Sequence, residues 1–281
     1  MLLATDSDRV RGLLASLPPS KPRRVVRSIR ELSVAFEETH AQAVLLDPDG
    51  VPESFLNTPI DQAARRGTRF FIASPLTTRT AELVLHSAHS GLAGALLCDC
   101  ETDLRAMTRQ LSAETAECTL ALRLLARIRH RVLSLPRSLR AALVGAATAR
   151  CYAGTSIGAF ASRAGGSPRS LARWLAAAGL AQPRTVLAAF RLAHLWPELA
   201  SPRLTMSAVA DIGGFGGDRT LRAHCERVLR WSPIHIRRFR SDAEVLVGLT
   251  RALNRPSAFG AKDAGVDKGD VQVAAEAMAS L

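Results

Sequence analysis

The sequence predicts two architectures in succession, α/β over residues 1–112 and all-helical after it. Three observations carry this. Short apolar runs alternate with helix-period stretches in the first part, the pattern of a doubly wound parallel sheet covered on both faces. From Glu114 onward the pattern is helical only. The charge divides as well: of the formal net +12, residues 1–136 carry +2, residues 137–240 carry +12 and residues 241–281 carry −2.

The elements follow in order. "MLLA" opens as a buried strand, and "DRVRGLLASL" is a helix that stops near Pro18 and Pro19. "RRVVR" reads as a second strand and "SIRELSVAFEET" as a helix; "AQAVLLD" is a strand ending in acid, followed by helix "PIDQAARRG". "TRFFIAS", helix "RTAELVLHSAHSG", strand "AGALLC" and helix "DLRAMTRQLS" complete the series. Five strands in about 112 residues suit a flavodoxin-like domain.

Residues 113–136 form a linker helix. Cys118, Ala121, Leu125, Ile128, Val132 and Leu135 recur at a 3-4-3-4 spacing. Such a stripe serves a homodimer seam or packs on a domain of its own chain. Pro136 ends it. Residues 137–240 read as helices joined by short turns. Residues 241–281 open with helix "DAEVLVGLTRAL" and continue as a tail rich in Gly, Ala, Asp and Lys, expected to be disordered.

Composition narrows the function. At 47% apolar the chain can bury a proper core. The first twenty residues carry Asp6, Asp8 and prolines, unlike a signal peptide, and no apolar run reaches the roughly 20 residues of a membrane span. The five cysteines, Cys98, Cys100, Cys118, Cys151 and Cys225, are odd in number and hold no paired C-x-x-C spacing. They read as reduced thiols of a cytoplasmic protein, with no zinc site. There is no G-x-G-x-x-G after the first strand, no P-loop and no G-x-S-x-G, so neither an enzyme nor a cofactor is expected. Every cation in residues 137–240 is arginine. Arginine forks match phosphates and guanine edges, so the expected partner is double-stranded DNA.

A constellation in that basic region sharpens the expectation. "SIGAFASRAGGSPRSLARWLAAAG" and "MSAVADIGGFGGDRTLRAHCERVLR" each read as a short helix, a glycine turn and an arginine-bearing helix. In the first, Ser167 is a strong N-cap and Pro168 suits the first helical position. Leu171 and Leu175 share one face, and Arg169, Ser170 and Arg173 lie off it. Ala161 and Ala210 are small enough for two helices to meet closely. The second helices start about 50 residues apart, which suits two grooves one DNA turn, about 34 Å, apart.

From about Thr155 to Arg238 the chain resembles the AraC/XylS family of transcription regulators. The residues that carry the resemblance are Ser167, Pro168, Leu171 and Arg173; Ile212, Gly213 and Phe215; and Ser232, Pro233, Arg237 and Arg238. The resemblance implies sequence-specific DNA binding by two helices in successive major grooves. The candidate DNA-binding residues are Ser167, Arg169, Ser170, Arg173 and Trp174 in the first, and Arg219, Thr220 and Arg222 in the second. Trp174 reads as core or rim packing before it reads as a base contact. Ala223, Cys225 and Arg230 depart from the family pattern. An activator would also meet RNA polymerase; activation and repression are both open.

The first domain resembles a response-regulator receiver. Strand ends place Asp47 at the phosphoacceptor, Asp6 at one of the two magnesium-binding acids with Thr5 beside it and Asp8 close by, Ser74 at the hydroxyl and Cys98 where the family has lysine. The missing lysine and the weakened acid pair make this a degenerate pocket, a pseudo-receiver independent of phosphorylation. The alternative is a regulator switched by phosphorylation of Asp47.

Overall fold

Short runs of four to six residues, apolar in all strands but the second, which lies at an edge, build the parallel sheet of the computed structural model, which describes residues 2–16, 22–39, 41–49, 51, 56–66, 68–88, 92–97, 119–149 and 153–254. The strands are β1 (Leu2–Thr5), β2 (Arg23–Val26), β3 (Ala43–Leu46), β4 (Arg69–Ser74) and β5 (Leu92–Leu97), in spatial order β2-β1-β3-β4-β5. All neighbours pair in parallel. This is the flavodoxin-like order, whose direction reverses between β1 and β3. The helices between them are α1 (Asp8–Ser16), α2 (Ile29–Glu38), α3 (Asn57–Arg65) and α4 (Thr78–Ser87). The helix expected over "DLRAMTRQLS" lies outside the described residues.

Side chains alternate across the sheet, so each strand feeds two cores. Leu2, Ala4, Ala43, Leu45, Phe71 and Ala73 face Val10, Leu13 and Leu14 of α1. Leu3, Val44, Leu46, Phe70 and Ile72 face the other way, toward Leu32, Phe36, Ile60 and Val84. That second core does not stop at the domain edge; it runs on into the helical region.

Nine further described helices form that region: α5 (Leu120–Val132), α6 (Arg137–Thr148), α7 (Ile157–Arg163), α8 (Pro168–Ala177), α9 (Pro183–Ala200), α10 (Met206–Ile212), α11 (Asp218–Leu229), α12 (Pro233–Phe239) and α13 (Asp242–Leu253). α9 is the central post, with Val186, Leu187, Phe190, Leu192, Leu195, Trp196 and Leu199 all buried. α5, α6, α8 and α10 to α13 pack on it.

The seam on α5 takes the intramolecular role. Ala121, Leu125, Ile128, Val132 and Leu135 are buried by the chain itself, under α4, α6, α9 and α13. A homodimer through this stripe is therefore not what the fold provides, because the chain's own helices already cover it; Cys118 lies outside the described residues. α13 likewise belongs to the helical body rather than to a tail: it packs on α5, α9 and α11, and Leu253 accepts from the Ala181 amide at 2.8 Å. Residues 255–281, expected to be disordered, lie outside the described residues.

The sheet and the helices meet at α4 and α6. Arg140 pairs with Glu82 at 3.1 Å, both largely shielded from water. Arg129 of α5 donates to the Leu85 carbonyl at 3.2 Å. No described helix is long and apolar enough to cross a membrane.

Candidate nucleic-acid interface

Two helix pairs, α7 with α8 and α10 with α11, are built on the same local chemistry. Ser156 and Thr205 cap α7 and α10 by accepting from the amides of Ala159 and Ala208. Both first helices end in the same closure. The Gly166 amide reaches back to the Ala161 carbonyl at 2.9 Å, and the Phe215 amide to Ala210 at 2.8 Å. In each turn a glycine takes the left-handed conformation, Gly165 at φ 70° and Gly214 at φ 63°. This is the Schellman closure, which satisfies the last carbonyls of a helix and swings the chain out. Ala161 and Ala210 are fully buried, and the two helices of each pair are in contact over them.

The first pair then presents cations outward. Ser167 accepts from the Ser170 amide at 3.1 Å, and the two hydroxyls lie 3.1 Å apart. Leu171 and Leu175 are buried against the body. Arg169 and Arg173 sit four apart on the opposite, exposed face. Ser170 is half-buried on the flank. Trp174 takes the packing role of its two: it is half-buried, with its ring against Gly166, so it packs the turn instead of facing out with the arginines.

The second pair is arranged differently. Gly217 gives α11 no side-chain cap. Leu221, Cys225, Val228 and Leu229 are buried. Arg219 and Thr220 are exposed on the outer side, as expected. Arg222 is exposed too, but on a flank, where it lines a recess of about 130 Å³ with Asp218, Glu226, Met206, Ser232, Pro233 and Ile234. Arg227 shares the outward line with Arg219 instead. The eight-residue spacing held that signal, since two steps of i,i+4 stay on one helix face. Among the described residues no carboxylate pairs with Arg169, Arg173, Arg219 or Arg227.

One side chain of α9 fixes the second turn. Arg191 of α9 donates through Nε to the Gly213 carbonyl at 2.9 Å and through Nη2 to Gly214, and lies over the Phe215 ring. Phe215 meets the His224 ring edge-on at 5.0 Å. His224 has its pKa held below the usual imidazole value, first by burial and then by Arg227, Arg191 and Arg184. Beside it, burial and Glu226 push the Cys225 thiol up to about 12, an inert core thiol.

In the sheet domain, the carboxyl ends of β1 and β3 bring the acids together. Asp6 follows β1 and Asp47 follows β3, beside the switch point. Asp47 is buried; its amide donates to Thr5 Oγ1 at 2.9 Å, and its carboxylate accepts from the Asp49 amide at 3.0 Å. Two arginines of α1 answer the acids. Arg9 pairs with Asp47 at 3.4 Å and with Asp49. Arg11 pairs with Asp6 at 2.7 Å and Asp8 at 3.4 Å. Its pKa is raised, chiefly by its hydrogen bond to Asp6. Ser74 is fully buried and its hydroxyl is bonded to Thr80 of α4 at 2.9 Å. Cys98 lies outside the described residues.

These donors do not fit the magnesium that a receiver would hold. A hard cation wants free carboxylate oxygens, and here guanidiniums engage both Asp6 and Asp47. Among the described residues no group of three or more His, Cys, Asp or Glu side chains could hold a metal ion.

No family model, no curated protein and no solved structure matches this chain.

Proposed function

We propose that the protein is a sequence-specific, DNA-binding transcription regulator of the AraC/XylS type, with a degenerate, phosphorylation-independent receiver domain. The observation that carries this reading is the repeated pair: two helices closed by the same turn onto a second, cation-bearing helix, both mounted on α9. Each is a helix-turn-helix unit, in which the second helix enters a major groove. Arg169 and Arg173 of α8, and Arg219 and Arg227 of α11, reach phosphates or guanine edges. The partner is double-stranded DNA. The protein works in the cytoplasm and is not an enzyme.

Pairing of Arg9 and Arg11 with the acids supports the phosphorylation-independent reading. The sheet domain then serves as a scaffold that α4 joins, through α6, to α7 of the first pair and to α9.

The test is selection of bound duplexes from a random DNA pool by the full chain at two salt concentrations. The expected result is a motif with two elements about 10 bp apart, bound more weakly at high salt. Binding with no motif, or no binding, overturns the proposal.

A further inference from the structure

The outward line of α11 differs from that of α8. Opposite the buried Leu221, Cys225 and Val228, the exposed residues at four-residue spacing are Arg219, Ala223 and Arg227. Two long cations flank a single methyl group. The α8 line begins with two cations, Arg169 and Arg173. The surroundings differ in charge as well. Residues 137–197 hold eight arginines and no acid, whereas Asp211, Asp218 and Glu226 all belong to the second pair. Charge alone therefore holds the second helix to DNA less strongly than the first.

Resting on the DNA reading above, we infer that Ala223 is the specificity-determining residue of the second helix and that it takes the C5-methyl group of a thymine on the major-groove floor. An alanine side chain has no hydrogen bond to give and cannot reach a phosphate. Its readout in a groove is apolar contact, and the thymine methyl is the apolar feature the major groove offers. Its place is the middle of the outward line, where a short side chain lets the helix backbone approach the base edges. A four-residue step along the helix rises about 6 Å, nearly two base-pair steps. Arg219 and Arg227 therefore fall to either side of the base pair under Ala223. The approach is open, since Arg219, Ala223 and Arg227 are all exposed.

The experiment uses the full chain and the duplex it selects. Each thymine of the second half-site is replaced singly by deoxyuridine, which removes only the methyl group. For the unaltered protein, one such replacement is expected to weaken binding roughly fourfold, the worth of one buried methyl. Ala223→Gly and Ala223→Ser are expected to bind the thymine and deoxyuridine duplexes equally. The serine variant keeps the helix where glycine loosens it. If no deoxyuridine replacement matters to the unaltered protein, or if discrimination persists in both variants, the inference is wrong while DNA reading stands. If the unaltered protein selects no duplex, DNA reading fails and the inference with it.

Discussion

The guanidinium of Arg191 lies 4.1 Å from the centroid of the Phe215 ring while its Nε donates to the Gly213 carbonyl at 2.9 Å. One side chain of the central helix thus holds both the backbone and the aromatic plug of the second turn. Partial burial lowers the Arg191 pKa, and its bond to the Gly213 carbonyl is part-buried. Arg191→Ala is expected to lower stability by about 1–3 kcal/mol, from lost carbonyl partners and the lost cation–π contact. Urea unfolding checks the size. Hydrogen exchange checks the place: protection should fall in α10 and α11 and hold in α7 and α8.

The same turn separates two glycines. A Cβ on Gly213 would stand 2.8 Å from the Phe215 ring and 2.9 Å from Leu195, whereas one on Gly216 would meet nothing within 4 Å. Gly213→Ala should cost about 1–3 kcal/mol through overpacking. Gly216→Ala should be neutral or gain up to about 1 kcal/mol by restricting the unfolded chain. Thermal unfolding of the two variants side by side tests the contrast, and equal losses would contradict it.

α11 ends on a strained residue. Arg230 is its C-cap at φ 65°, left-handed backbone that favours glycine, and the side chain is exposed. Arg230→Gly should raise stability by about 1 kcal/mol by removing the Cβ clash. A lowered unfolding midpoint would show that the arginine side chain makes up the backbone cost elsewhere.

His224 sets a pH dependence with a definite sign. Its folded pKa lies below the ordinary 6.5, so the unfolded chain binds the proton first. Stability from this group is full above about pH 6.5 and is lost as pH falls from there through the folded pKa. His224→Phe keeps a ring against Phe215 and removes the titration. Urea titrations at pH 7.5 and 5.5 should show a smaller acid loss in the variant than in the unaltered protein.

The first pair should dominate the salt response. With Arg169 and Arg173 exposed and no acid from 137 to 197, Arg169→Ala with Arg173→Ala should make the slope of log K against log salt shallower by about 2. Fluorescence anisotropy on one duplex over a salt series measures it. An unchanged slope would mean that these arginines face away from the phosphates.

Local order alone settled much of this protein. Apolar runs of strand length, separated by helix-period stretches, determined β1, β3, β4 and β5, because a parallel strand covered on both faces must be apolar at successive positions; β2, with Arg23 and Arg24, is an edge strand. Ser167 before Pro168, with Leu171 and Leu175 one turn apart, determined where α8 begins and that Arg169 and Arg173 face out. Tertiary structure decided the rest. Periodicity says which face of α5 is apolar but not what covers it; α4, α6, α9 and α13 do. Trp174 turned onto Gly166 because the turn brings that backbone within reach of its ring. Arg222 went to a flank and Arg227 to the outward line because α11 is fixed in rotation by Leu221, Cys225 and Val228. Arg9 meets Asp47 across 38 residues of chain, and only the closing of β1 against β3 puts that guanidinium on the acid. A charge pair of that span leaves no periodic trace in a sequence, since nothing local requires either partner.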